Sequence, residues 1–387
     1  MNLKELKNST ILLFGKSRAF RDREFEFQMK YHQIKVLKEY DESVEVVVDG
    51  RMMTPSEENE SERLYKSKAI KFISIDKLER ELAKSIDEDT LLMSLKLSHD
   101  KERLKVFLEN SMISKKLFFR LLKMYSWGDE DFFENDDNRD VSAAFISRFY
   151  ENIERNHNVQ YATTGFIHLV SQTEDAELLR EISSLKPLQF HPKIDAAIAM
   201  SPYCDLELQK RYFKRGEARD LEALSLNKNL DEGLVEEFLN SESLGENVAR
   251  NINLNMGLFE RLKLYINALA LNETLSFDMQ NELLELQSVD INYALSLNNA
   301  LDEKVLRKLL TLEDEKIQEA VYENSATPIE ILEEAYRDAK NHLALAKNES
   351  TPIEILYQLQ LDSRYERYVK TNAGFGKHIQ TENIGWL

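Results

Sequence analysis

The chain has 387 residues, of which 42% are hydrophobic and 31% charged, and a net charge of −18. That profile excludes a disordered chain and provides core for two or three folded domains. Eleven Gly and six Pro are few for this length, which argues against many short strands and for long helical stretches. One cysteine, Cys204, excludes an internal disulfide and any multi-cysteine metal centre. The opening MNLKELKNST lacks the apolar core of a signal peptide, and no run of about eighteen apolar residues occurs. The expectation is a cytoplasmic protein with no membrane span and no cofactor. Residues 1–86 hold 17 Lys+Arg against 16 Asp+Glu, a balance of +1, which leaves −19 for the remainder. An acidic surface of that size repels a phosphate backbone, so direct nucleic-acid binding is not expected.

In chain order, Thr10–Gly15 reads as a buried strand ending in Gly, and Ala19–Tyr31 as a helix. Gln33–Leu37 and Val44–Gly50 are two further strands. A polar loop over Thr54–Ser61 leads to a short helix around Leu64. Ile70–Ile73 is the fourth strand, and Ser74–Ile86 a last helix with Ile75, Leu78, Leu82 and Ile86 on one face. The order β-α-β-β-α-β-α predicts a small parallel-sheet domain over residues 1–88. Its length, its Phe14-Gly15 opening and its Ala69–Ser74 step into the last helix resemble a BRCT domain. The tryptophan that family usually places in the last helix is absent, with Leu78 or Leu82 in its stead. The resemblance implies a phosphate site made of Gly15, Ser17 and one of Lys66 or Lys68. Lys16 and Arg18 add positive charge beside a helix N-terminus. The competing reading is a solvated face in which Arg21 and Arg23 pair with Glu24 and Glu26.

The segment 127–140 is acidic with an aromatic centre, Trp127, Phe132 and Phe133. It has the charge of a calcium loop but not its Gly and terminal Glu placement. It reads as an insertion between repeats whose aromatics are candidate partner anchors. The seven histidines show no His-x-x-x-His spacing, and there is no nucleophile elbow or phosphate-cradling Gly-rich loop. His168 reads as a partly buried core residue and Cys204 as a packing residue. No catalytic residue or metal site is expected.

Residues 89–378 are dominated by a repeat, and 379–387 form a tail. Ala320–Leu332 and Ala344–Leu356 share Ala-x-x-x-Asn-x-x-Thr-Pro-Ile-Glu-Ile-Leu. Thr reads as a helix N-cap, Pro as the first helical residue and Glu as the partner completing a capping box. Ala lets a preceding short helix pack closely. Asn either takes the left-handed conformation that ends that helix or bonds neighbouring backbone through its side chain. Looser copies run upstream, as in Ala294, Asn298, Leu301, Val305, Leu306 and Leu309. Anchors at 201, 227, 253, 272, 298, 324, 348 and 372 are mostly 24 to 26 residues apart, with one 19-residue step from 253 to 272. A unit of one short and one longer helix cannot bury its apolar face alone, so neighbours must stack. The expected fold is therefore mainly α, an α-solenoid of two-helix repeats after a small α/β domain.

The units resemble the leucine-rich repeat variant family, an α-solenoid that pairs a 3₁₀-like helix with an α-helix. The resemblance implies a binding role and not a reaction. The iron–sulfur cluster of some relatives is not implied, since only Cys204 is present. A non-enzymatic scaffold holding a protein or peptide is the expected function, with the N-terminal domain engaging a second partner or a phosphorylated segment. The alternatives are a DNA-maintenance accessory protein recruited through the BRCT-like domain, or a helical-repeat DNA glycosylase, which the −19 charge disfavours. Glu330, Glu333 and Glu334 lie just outside the apolar stripe of their helix and suggest a basic partner.

Overall fold

The computed structural model describes residues 3–68, 70–128, 135–149 and 162–381, and it divides into two compact units, Met1–Ile198 and Ala199–Leu387. The first unit begins with β1 (Thr10–Phe14), α1 (Asp22–Tyr31), β2 (Lys35–Leu37), β3 (Val46–Asp49), α2 (Pro55–Ser67), β4 (Lys71–Ser74) and α3 (Ile75–Ala83). The element order is the expected one. The four strands form one parallel sheet in the order β2-β1-β3-β4, with Leu12 opposite Leu37 and Val47, and Val47 opposite Phe72. β1 and β3 are the central strands. Their Ile11–Phe14 and Val46–Val48 runs are buried, as a parallel sheet covered on both faces requires. The edge strands open on Lys35 and Lys71, both exposed, which discourages pairing with a further strand.

One expectation here needs correction. The polar stretch 54–61 is not a loop but the start of α2. Thr54 accepts from the Glu57 amide, Glu57 accepts from the Thr54 amide at 2.7 Å, and Pro55 occupies the first helical position. The capping box that the repeats suggested is thus found in the N-terminal domain.

Contacts of this sheet region cross residue 88. In α5 (Lys101–Glu109), which follows α4 (Glu88–Ser98), Phe107 meets Phe20 edge-on with centroids 5.7 Å apart. Arg103, 4% exposed, donates from Nε to the Ala19 carbonyl at 2.9 Å and from a terminal nitrogen to Glu24 at 2.7 Å. Burial lowers the pKa of this guanidinium, against the pull of Glu24. A buried charge so paired is costly to break from one side.

The second unit is a stack of helix pairs. Its first row is Ala218–Ser225, Glu242–Asn251, Ile266–Ala270, Val289–Ser296, Glu315–Glu323, His342–Lys347 and Glu366–Thr371, each packed on the next. The second row is Glu232–Phe238, Met256–Leu262, Phe277–Glu285, Glu303–Leu310, Ile329–Ala335, Ile353–Gln360 and Ala373–Thr381. Ile331, Leu332, Ile355, Leu356 and Leu359 of the second row are buried, as the one-sided stripe predicts.

The frame asparagines are the joints. Asn324 has φ −75°, so the left-handed reading is wrong for it and the side-chain reading holds. Its Nδ2 donates to the Ser296 and Asn298 carbonyls at 2.8 Å each, and its Oδ1 accepts from the Ala326 amide at 2.7 Å. Asn348 repeats this on the Tyr322 and Asn324 carbonyls, and Asn372 on those of Ala346 and Asn348. Asn298 reaches back to Ala270 and Asn272. From Asn298 onward each rung therefore ends on the backbone of the previous frame asparagine, and the frame asparagines 272, 298, 324, 348 and 372 are all buried.

Asn227 forms the same rung on Ala199 and Ser201, but the next is missing. Asn253 is exposed and bonds only Asn229 from its side chain, at 2.5 Å. Asn272 instead takes the Ala249 and Ile252 carbonyls. At this short repeat the Tyr265 ring lies on Gly245, where any Cβ would fall 2.3 Å from the ring, and its hydroxyl donates to the Leu239 carbonyl at 2.9 Å. The 19-residue step thus keeps an amide rung, made by Asn272, with an aromatic plug beside it, and the missing rung is the one Asn253 would make on the preceding repeat.

The threonines also differ from expectation. Helices Ile329–Ala335 and Ile353–Gln360 begin after Pro328 and Pro352 with no side-chain cap. Thr327 and Thr351 are buried, and their hydroxyls donate backwards to the Val321 and Leu345 carbonyls. Inside the stack the orphan carbonyl ending the preceding helix is the nearer demand, and the hydroxyl meets it.

Asn324→Ala removes three hydrogen bonds and strands two buried carbonyls, so a loss of about 2–4 kcal/mol is expected. Asn253→Ala should stay within about 0.5 kcal/mol. Urea midpoints of the two variants check the ladder directly.

Asn292 is buried with its Oδ1 unpartnered. Twenty-six residues on, Gln318 occupies the corresponding place and donates to the Leu310 and Leu312 carbonyls at 3.2 and 2.8 Å. Asn292 is one methylene shorter. The Gln318 bonds use the donor end and would leave the Asn292 acceptor unmet, whereas Asn292→Leu removes it at similar size and is expected to raise stability by about 1 kcal/mol, seen as a higher urea midpoint at an unchanged slope.

Candidate functional site

Of the proposed phosphate residues, Gly15, Lys16, Ser17 and Arg18 follow the carboxyl end of β1, where open parallel sheets usually present ligand sites. Gly15 has φ +65°, and a Cβ there would sit 2.4 Å from the Arg51 carbonyl oxygen. Only glycine fits, because Lys16 and Arg51 exchange backbone hydrogen bonds at 2.8 Å across this turn. The turn aims a set of backbone amides at one place, and the protein's own carboxylates occupy it.

The Gly15 amide donates to Glu57 at 3.0 Å. One oxygen of Glu79, from α3, accepts from the Ser17 hydroxyl at 2.7 Å, the Arg18 amide at 2.7 Å and the Ala19 amide at 3.1 Å. Glu79 is 3% exposed. The amides of Thr54 and Gly15, then the Thr54 hydroxyl, lower the pKa of Glu57. Its link to Gly15 is therefore complete above the ordinary carboxylate range and is lost as pH falls through the lowered value.

The other members of the set are dispersed. Lys16 is exposed, and Arg18 pairs with Glu102 at 2.6 Å. Lys66 pairs with Glu62 at 3.0 Å, and Lys68 ends α2 in the left-handed conformation. Lys66 is nine residues along α2 from Glu57, roughly 13 Å by helical rise. The structure brings Gly15, Ser17 and Arg18 together around two internal carboxylates and leaves both lysines at the far end of the helix.

Trp127 is buried, and its indole NH donates to the Leu122 carbonyl at 3.3 Å, with the ring edge-on to Tyr125. It belongs to the core and not to an exposed anchor. Phe132 and Phe133 lie outside the described residues. Burial pushes the Cys204 thiol up to about 12, so it stays protonated and inert, a packing residue as expected. Among the described residues no group of three or more His, Cys, Asp or Glu side chains is placed to hold a metal ion, and no helix is long and apolar enough to cross a membrane.

Glu330, Glu333 and Glu334 are exposed on the second row. Further back the same row is partly neutralised, since Arg261 pairs with both Glu232 and Glu236 and Arg307 with Glu303.

The first row carries a feature that sequence reading missed. Val289, Tyr293 and Leu297 stand at i, i+4 and i+8 and are 61%, 43% and 45% exposed. They form an apolar ridge roughly 12 Å long. Grooves of about 480 and 400 Å³ flank it, and Tyr293 and Leu297 line both. Ala268 and Ala294 line the first, with Glu246, Arg250 and Asp290 at its edges. Ala320 lines the second, with Lys316, Glu319 and the Glu323–Lys347 pair around it. The signal in the sequence was Tyr293, which sits between Asn292 and Ala294 and reads there as one more core position.

No protein-family model, no curated protein and no solved structure matches the chain.

Glu79→Ala leaves three donors facing a vacancy, and a cost of about 2 kcal/mol is expected. Inorganic phosphate should then raise the thermal midpoint of this variant while leaving that of the wild type unchanged. Equal shifts in both proteins would mean that the carboxylate does not hold the anion position.

Proposed function

We propose that the protein is a non-enzymatic interaction scaffold whose helical array binds a protein or peptide across the first row, in a cytoplasmic setting. The observation that carries the reading is the ridge Val289–Tyr293–Leu297, which keeps three large apolar side chains in water between two grooves. An apolar anchor beside alanine-lined grooves suits a partner helix packing its own ridge into them. Glu246, Asp290 and Glu319 around those grooves supply a preference for basic residues in that partner, and Glu330, Glu333 and Glu334 extend the acidic surface on the second row.

As part of the same proposal, the repeats belong with the leucine-rich repeat variant type. Support comes from the 3₁₀ turns Lys263–Tyr265 and Ala339–Asn341, which lead directly into short first-row helices. The parallel sheet in the order β2-β1-β3-β4 supports the BRCT-like reading of the first domain and a second partner there. The glycosylase alternative finds no support at the grooves, where Glu246, Asp290, Glu319 and Glu323 outnumber Arg250, Lys316 and Lys347.

The test is fluorescence polarisation with an amphipathic helical peptide carrying a Leu-Trp face and Lys on its flanks. Tyr293→Ala with Leu297→Asp is expected to weaken binding by about tenfold or more. Reversing Glu246, Asp290 and Glu319 to Lys should instead flatten its salt dependence. Unchanged affinity in the ridge variant would end the proposal.

A further inference from the structure

The N-terminal unit holds a second unassigned surface, independent of the array. Between the end of α1, the end of α3 and the segment holding Leu3, Lys4 and Lys7 lies an open hollow of about 910 Å³, at the upper end of ligand-pocket size. Lys4, Lys7, Tyr31, His32, Glu81 and Lys84 are among its lining residues. Three lysines against one glutamate make it locally cationic in a chain of net charge −18. Glu81 is taken by Lys84 at 3.1 Å. Burial lowers the His32 pKa, which leaves the ring neutral at pH 7, and its Nε2 bonds the Ser85 hydroxyl at 2.8 Å.

The apolar part is equally specific. Tyr31 is 68% exposed at the hollow, and Phe27, one turn earlier on the same helix face, is 66% exposed. Two large aromatic rings in water at i and i+4 are an unfilled contact.

The walls are fixed before any partner arrives. Leu6 is buried, the Ser9 hydroxyl bonds its carbonyl at 2.6 Å, and the Asn8 amide donates to the Gln33 carbonyl at 2.9 Å. Asn8 and Gln33 both hold positive φ, 66° and 60°, a conformation that costs energy in Gln and persists only when surroundings impose it. A preorganised wall lowers the ordering cost of binding.

We infer that this hollow docks an acidic peptide segment bearing a large apolar side chain. The carboxylates face Lys4, Lys7 and Lys84, and the apolar side chain packs on Tyr31 and Phe27. A concave surface suits a chain segment and not a lipid bilayer, which cannot enter it. A nucleic-acid strand would bring a track of phosphates toward a molecule of strongly negative net charge.

The experiment uses the full chain and a fluorescein-labelled peptide of Asp and Glu around a central Phe-Leu pair. Wild-type protein should bind it, with affinity falling between low and physiological salt. Lys7→Glu and Tyr31→Ala should each weaken binding by about tenfold. Lys116→Glu, at an exposed lysine of another helix, should leave it unchanged, and all three variants should keep the wild-type thermal midpoint. The peptide with Ser-Ser in place of Phe-Leu should bind weakly, and its Lys-for-acid counterpart not at all. Absence of binding by wild type, indifference to both variants, or stronger retention on single-stranded oligonucleotide or anionic vesicles would overturn the assignment. These variants leave the array untouched, so failure here is separable from failure of the ridge.

Discussion

The buried asparagine amide is the interaction on which the second unit depends. A stack of short helices ends many times over, and every end leaves carbonyls that must be satisfied without water. Asn298, Asn324, Asn348 and Asn372 each meet two such carbonyls of the preceding repeat and close their own turn with the same side chain. No smaller polar side chain offers two donors and an acceptor in one plane. Because each rung ends on the backbone of the previous asparagine, the first-row helices are held at a nearly constant spacing. That spacing leaves alanine-lined grooves between them, and the grooves are where the array has surface to offer. The ladder and the proposed binding face are thus two results of one periodic sequence.

The N-terminal domain solves a related problem with charge. Its β1 turn collects amides that would hold an anion, and Glu79 and Glu57 hold that position from within. By accepting from the Ser17 hydroxyl and the Arg18 and Ala19 amides, the buried Glu79 carboxylate ties α3 to the turn. The same logic recurs at Arg103, a cation enclosed by Ala19, Ser94 and Glu24. In this domain internal ion and amide pairs consume polar groups that a sequence reader assigns to ligands.

The element order, the parallel sheet, the two-helix repeat and its buried stripe were all legible in the sequence, because each rests on local periodicity. Asn324 and Asn348 were singled out, though not the direction in which they bond. What misled was context. Thr327-Pro328-x-Glu330 and Thr54-Pro55-x-Glu57 are the same local signal, yet only the second is a capping box. The first is buried against a neighbouring helix whose carbonyl competes for the hydroxyl, and competition of that kind has no local signature. The same holds for the candidate site. Gly15 was found from its turn, but Glu79 is 64 residues away in sequence, and nothing near it marks it as the occupant. Val289, Tyr293 and Leu297 were invisible because an apolar i, i+4, i+8 stripe reads as core whether or not another helix covers it.

The two kinds of joint respond differently to conditions, and this bears on how the surfaces can work. Amide rungs are neutral, so neither salt nor pH near neutrality acts on them directly. The proposed contacts at Glu246, Asp290 and Glu319, and at Lys4, Lys7 and Lys84, are exposed charges, which salt screens and a charged modification reverses. A molecule built in this way can lose or change partners over a range of ionic strength while its array stays folded. The interrupted rung at Asn253 is the exception. There the helix Glu242–Asn251 is joined to its predecessor without a frame amide, the Asn247 side chain donating instead to the Ser225 hydroxyl at 3.1 Å. Any give in the array as it closes on a partner helix should begin at that repeat, one first-row helix removed from the Val289 ridge.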